Sequence, residues 1–162
     1  MTAKTPSAIS WLLCSVVVIA LDQLSKHWAV MHLTQGPMRV LPFLNFYLAF
    51  NYGAAFSFLS NPGGWTGYLF LAVALAVSGV LSVWLWRTPA SEKWKAFAIS
   101  AIIGGAIGNV VDRLWHGFVI DFIDFHVAGW HFATFNVADA AISVGAAILI
   151  LVMLLEGREQ KK

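Results

Sequence analysis

The eight carboxylates of this chain divide by type. Glu92, Glu156 and Glu159 fall in stretches rich in Lys and Arg, whereas Asp22, Asp112, Asp121, Asp124 and Asp139 fall inside or beside long apolar segments. A carboxylate at the centre of a membrane helix costs roughly 2.5–3.5 kcal/mol to insert, so each aspartate needs a partner or a chemical purpose. Two carboxylates held face to face do not both ionise; they share a proton and can act as base and acid around one water, which is the chemistry of aspartic proteolysis. The acids available for such a pair are Asp121 or Asp124 together with Asp139, with Asp112 as a supporting group. Other peptidase chemistries fit less well. The chain has no H-E-x-x-H, Cys14 lies within an apolar segment, and no serine is paired with a base. His116, His126 and His131 offer zinc donors, but their spacing matches no ligand motif, so neither a metal nor an organic cofactor is expected.

Smaller constellations accompany these acids. Asp22 and Lys26 stand four apart, one helical turn, and read either as an internal ion pair or as a brace for a site. Asn109, Asp112 and Arg113, at i, i+3 and i+4, share one helix face. Behind them Gly104 and Gly108 give a G-x-x-x-G spacing, widened by Gly105, that admits a second helix closely. Asn136 reads as an N-cap with Asp139 as the return partner of a capping box. Capping accounts for one carboxylate and leaves the others; Asn51, Asn109, Asp112, Arg113, Asp121, Asp124, Asn136 and Asp139 all fall near one boundary of the apolar segments.

The elements that must position them are membrane helices. Of 162 residues, 59% are hydrophobic and 11% charged, against about 25% charged in soluble domains. Four apolar segments, at about 9–31, 65–86, 94–114 and 137–155, are each long enough to cross a bilayer, and the length suits one domain over 1–162. The first outruns a signal-peptide h-region and lacks a small-x-small site after it, so it is read as a retained span. Lys4, the Arg87–Lys95 loop and the Arg158–Lys162 tail carry most of the basic residues, which places both termini and the middle loop in the cytoplasm and the two long loops outside. A net charge of +2, with the basic residues scattered, does not suggest nucleic acid. In the outward loops, Leu44–Phe50 alternates as a strand and Phe118–Val127, with a turn at Ala128-Gly129, predicts a second strand or hairpin. Gly53–Ser60 predicts a short interfacial helix, a candidate lid. Phe43, Phe46, Phe50, Trp130 and Phe132 are candidates for an aromatic cradle over the site.

Five blocks in order carry a resemblance: Asp22-Gln-Leu-Ser-Lys26, Asn51-Tyr-Gly-Ala-Ala-Phe56, Gly104-Gly-Ala-Ile-Gly-Asn-Val-Val-Asp-Arg113, Val119-Ile-Asp-Phe122 and Phe135-Asn-Val-Ala-Asp139. The chain resembles the bacterial lipoprotein signal peptidases, signal peptidase II. That resemblance implies an α-helical integral membrane protein with four transmembrane helices, a small outward β element and an interfacial helix, in the bacterial inner membrane with its site near the outer face. It implies an aspartic endopeptidase that cuts diacylglyceryl-modified prolipoproteins just before the lipidated cysteine, with Asp121 and Asp139 as the dyad. Asn51, Gly53, Asn109, Arg113, Asn136 and Ala138 match positions lining the substrate groove; Asp22, Lys26 and Asp112 are expected to brace it, and Asp124 to be a bystander or to fix shape. The positive end of the fourth helix favours Asp139 as the base, with the shared proton on the other aspartate. Lipid-modified prolipoproteins and membrane lipids are the expected partners, and a monomer the expected state.

Two other classes compete. A proton-coupled transporter would relay protons through the aspartates with Asp22 and Lys26 as a gate, and an assembly factor would use the glycines and asparagines for packing alone. Clustering of the aspartates toward one side favours the enzyme, because a transport path carries polar groups through the full depth.

Overall fold

In the computed structural model, residues 6–53 and 65–159 are described. A short 3-10 turn, Ala8–Trp11, leads into α1 (Leu12–His32); then come β1 (Met38–Leu41), β2 (Leu44–Asn51), α2 (Thr66–Arg87), α3 (Lys93–His116), β3 (Val119–Val127), β4 (Trp130–His131) and α4 (Val137–Glu159). Among the described residues, four helices are long and apolar enough to span a membrane, within a few residues of the expected bounds. Leu13, Val80 and Leu154, each more than 60% exposed, show what faces outward: apolar side chains that only lipid solvates well.

The third helix is the centre. Two thirds of its spanning window (67%) is buried against protein, compared with 11–17% for the others, and α1, α2 and α4 all pack on it. Its glycines explain the close approach. A Cβ at Gly104 would stand 2.8 Å from the Ser15 carbonyl of α1, and one at Gly105 would collide with the Ala138 carbonyl of α4. Between apolar helices in lipid, such contacts supply the packing that hydrophobic exclusion supplies in water. The Ser15 hydroxyl adds a buried bond to the Ser100 carbonyl at 2.7 Å.

The strands form one antiparallel sheet in the order β1-β2-β3-β4. The expected strands at Leu44 and Phe118 are its central pair, β2 and β3, and the turn at Ala128 (φ 50°) and Gly129 (φ 83°) joins β3 to β4. Sequence reasoning missed β1. Its side chains, all exposed, show no buried alternation to read. The expected helix at Gly53–Ser60 lies, apart from Gly53, outside the described residues.

Phe122 anchors the sheet, packed with Ala29 of α1 and Leu33 just past its end, and flanked by Trp28, Phe46 and Val137. A register shift between Phe46 and Ala49 sets what the two central strands present to each other. Asp121 and Asp124, three apart on β3, project to opposite faces, while Asn45 and Asn51, six apart on β2, would share one in a regular strand. The extra residue flips the second half of β2, so that Asn45 meets Asp124 and Asn51 meets Asp121.

Candidate active site

Buried charge gathers where α1, α3 and the start of α4 meet. The Lys26 ammonium has three N–H groups and three partners: Asp22 at 2.8 Å, Asp112 at 2.8 Å and the Asn109 side-chain oxygen at 3.0 Å. Asp22 also accepts the Ala138 backbone N–H at 2.9 Å, so a carboxylate on α1 satisfies one of the free N–H groups in the first turn of α4. Asp112 accepts the Ile120 backbone N–H at 3.0 Å, which ties α3 to β3. Gln23, a residue that drew no attention in sequence, spans both acids, donating toward Asp112 at 2.9 Å and Asp22 at 3.2 Å. The amide's cost inside an apolar helix was the available signal.

This node feeds a second one through amides. Lys26 and Asn136 both donate to the Asn109 oxygen, which turns the Asn109 NH2 onto Asp139 at 2.8 Å. Asn136 is fully buried and serves both Asp121 and Asp139. Its side chain donates to Asp121 at 2.7 Å, its backbone N–H donates to Asp139 at 3.3 Å, and its side-chain oxygen accepts the Asp139 N–H at 2.9 Å. The last two bonds are the capping box read from the sequence. Asn51 completes the shell with a 3.0 Å bond to Asp121.

Asp121 is 2% exposed, and among the described residues neither it nor Asp139 has a salt bridge. Burial, followed by the charge of Asp139, pushes Asp121 up to about 7; the bonds from Asn51 and Asn136 and the charge of Lys26 oppose the rise. Asp139 instead lines a cavity of about 610 Å³. Asn51, Gly53, Asn109 and Arg113 form its polar wall, Phe70, Ile142 and Val144 its apolar side, and Phe132–Phe135 another wall. The Arg113 guanidinium bonds the Gly53 carbonyl at 3.1 Å and sits 5.6 Å from the centre of the Phe70 ring.

The structure therefore brings Asp121 and Asp139 together with Asn51, Gly53, Asn109, Arg113, Asn136, Ala138 and the Asp22–Lys26–Asp112 brace, and leaves Asp124 on the opposite face of β3. Ala138 and Asn136, however, stand behind the cavity: Ala138 is fully buried against Gly105 and Gly108. Of the candidate cradle aromatics, Phe132 lines the cavity. Phe46 turns inward onto Trp28 and Phe122, Phe43 stacks on Phe125, Phe50 meets Phe118 at a tilt, and Trp130 lines another groove. Alternation had shown that these rings project from a sheet but not which end of it covers the acids. Among the described residues, His, Cys, Asp and Glu form no metal-binding group of three: His116 stacks on Phe118, and His131 on His126. An array of this kind, with two carboxylates joined through shared amides and one open to a cavity, is suited to activating water against a bound carbonyl.

Comparison with known proteins agrees with the geometry. The family model described as signal peptidase (SPase) II matches residues 14–155. A lipoprotein signal peptidase of Coxiella burnetii is 54% identical over 155 residues, covering 95% of each chain. Its Escherichia coli counterpart is 46% identical over 157 residues, covering 96% of each. A solved bacterial membrane enzyme superposes with a TM-score of 0.81 at 29% identity, covering 99% of this chain and 97% of its own.

Proposed function

The chain belongs to the signal peptidase II family, bacterial membrane peptidases of the aspartic class that remove signal peptides from prolipoproteins during lipoprotein maturation, and we propose that Asp121 and Asp139 are its catalytic dyad. The observation that carries this assignment is that these two acids, alone among the five, are linked through one asparagine, with Asp139 facing the cavity.

In this reading Asp139 takes a proton from a water, whose oxygen attacks the scissile carbonyl, while Asp121 gives its proton to the carbonyl oxygen. The tetrahedral diol collapses as a proton passes back through Asp121, the C–N bond breaks, and the amine leaves with the proton that Asp139 took up. The pair titrates jointly, which suits a dyad that must hold one proton between two acids. Asn51, Gly53, Asn109 and Arg113 touch the substrate backbone. Asn136 and Ala138 position the acids and the helix start, and Asp22, Lys26 and Asp112 brace them. The substrate is a diacylglyceryl-modified prolipoprotein cut just before its lipidated cysteine, with the apolar side at Phe70, Ile142 and Val144 receiving the lipid. The distribution of basic residues supports a topology with both termini in the cytoplasm and the site at the outer face. The chain acts as a single domain and a monomer, without metal or cofactor.

The test is cleavage of a diacylglyceryl-modified prolipoprotein by the purified protein in detergent, beside Asp139→Asn and an unlipidated substrate. Cleavage by the unmodified enzyme, confined to the lipidated substrate, is expected. A folded Asp139→Asn variant that cuts equally well would sink the dyad.

A further inference from the structure

Asp124 is the aspartate that this mechanism leaves unused, yet it is only 1% exposed. Its carboxylate accepts from Asn45 at 3.1 Å, and its two oxygens share Nδ1 of His131 at 2.8 and 3.0 Å. A carboxylate only accepts, so Nδ1 of His131 carries the proton. Burying an acid costs free energy that an apolar side chain at this position would not. What the acid holds is the last residue before the cavity wall, since Phe132, Ala133, Thr134 and Phe135 follow His131 directly and all line the cavity with Asp139. The middle of that wall is held from another strand: the hydroxyls of Tyr47, on β2, and Thr134 lie 2.6 Å apart. Its far end pairs with β3, where the Phe135 carbonyl accepts the N–H groups of Phe122 and Ile123.

We propose that the Asp124–His131 and Tyr47–Thr134 pairs are positioning pairs that hold the 132–135 wall at a fixed distance from Asp139 and thereby select the side chains that flank the scissile bond. The proposal rests on the dyad reading. A wall bearing two phenylalanines and pinned by side chains on β2 and β3 excludes bulky residues only while it cannot recede. Neither pin bonds Asp121 or Asp139, so its loss changes which substrates fit rather than the chemistry performed on those that do.

The experiment compares kcat and KM for lipidated prolipoproteins carrying small or bulky residues beside the cleavage site, in the unmodified enzyme, His131→Ala, His131→Asn and Tyr47→Phe. In His131→Ala and Tyr47→Phe the preference for small over bulky residues should fall by about 3- to 10-fold, a modest share of what one pocket contact contributes. Under the same comparison kcat on the best substrate should stay within about twofold. His131→Asn, whose amide N–H replaces Nδ1, should restore selectivity. An unchanged preference in both variants, or a uniform fall in kcat across all substrates, overturns the proposal. If His131→Ala does not fold, Tyr47→Phe, which removes one oxygen, decides the matter. Asp139→Asn in parallel separates the two readings, because its retained activity would refute the dyad without altering the selectivity ratios.

Discussion

Two acid clusters lie side by side in this protein, and they are held in opposite ways. Asp22 and Asp112 share the Lys26 ammonium and take further bonds from Gln23 and from backbone N–H groups. Asp121 and Asp139 are held by the amides of Asn51, Asn109 and Asn136, which orient a carboxylate without cancelling its charge. The difference teaches what each cluster is for. A cation makes an acid inert and turns it into a joint between helices, whereas a shell of amides leaves neutralisation to a proton, and a proton can be given away.

The sharpest way to break this contrast is to remove one acid from each side. Asp121→Asn should lower cleavage by at least about a hundredfold, the lower range for loss of a general acid, with the protein still folding and inserting. A single-turnover assay on the lipidated substrate reads it; near-normal turnover would move the chemistry elsewhere. Lys26→Met should do the reverse, costing on the order of 3–5 kcal/mol of stability by leaving two buried carboxylates without their cation. Thermal unfolding in detergent measures that loss, and a variant as stable as the parent would show that the amides alone suffice on both sides.

The helix-borne half of this contrast was legible in sequence, and the sheet-borne half much less so. Asp22 with Lys26, Asn109 with Asp112 and Asn136 with Asp139 are contacts, or shared faces, at three- and four-residue spacing, which one helical turn fixes whatever the tertiary fold. Gly104, Gly105 and Gly108 likewise announce a close helix contact, though not that α1 and α4 provide it. The choice between Asp121 and Asp124 was different. It depends on a register shift in β2, a strand about 70 residues distant, and composition contains no trace of a bulge. The residues alone left both acids open, and the family resemblance singled out Asp121. Tyr47 and Thr134 escaped notice for the same reason, and His131 was weighed only as a zinc donor: each meets a partner that only the sheet brings near.

Gly108 packs against the cation-held cluster and gives a smaller test. A Cβ there would lie 2.7 Å from the Asp22 carboxylate and 3.4 Å from the Ala138 side chain. Gly108→Ala should therefore cost about 1–3 kcal/mol by overpacking, measured as a lowered midpoint of thermal unfolding. Because it presses on the braced acid and not on the reacting pair, the folded fraction should keep its selectivity among substrates. An altered selectivity would mean that the brace and the cavity are coupled more tightly than the bonds through Asn109 imply.

A further expected effect is a slope with pH. Folding raises Asp121 from its ordinary 3.8 to about 7. Between those values the folded protein keeps a proton that the unfolded chain has lost, so the contribution of this group to stability is fully present below about pH 4 and declines as pH rises toward 7, by at most about 1.4 kcal/mol per pH unit. Above 7 its contribution is flat. The same ionisation removes the acid from the dyad, so kcat/KM should fall on the alkaline side of about pH 7 while the protein stays folded. Unfolding midpoints from pH 4 to 8, for the unmodified protein and Asp121→Asn, isolate the group, since the amide cannot titrate. If the slope survives in Asp121→Asn, another acid carries it, and Asp121 is not the group that holds the proton.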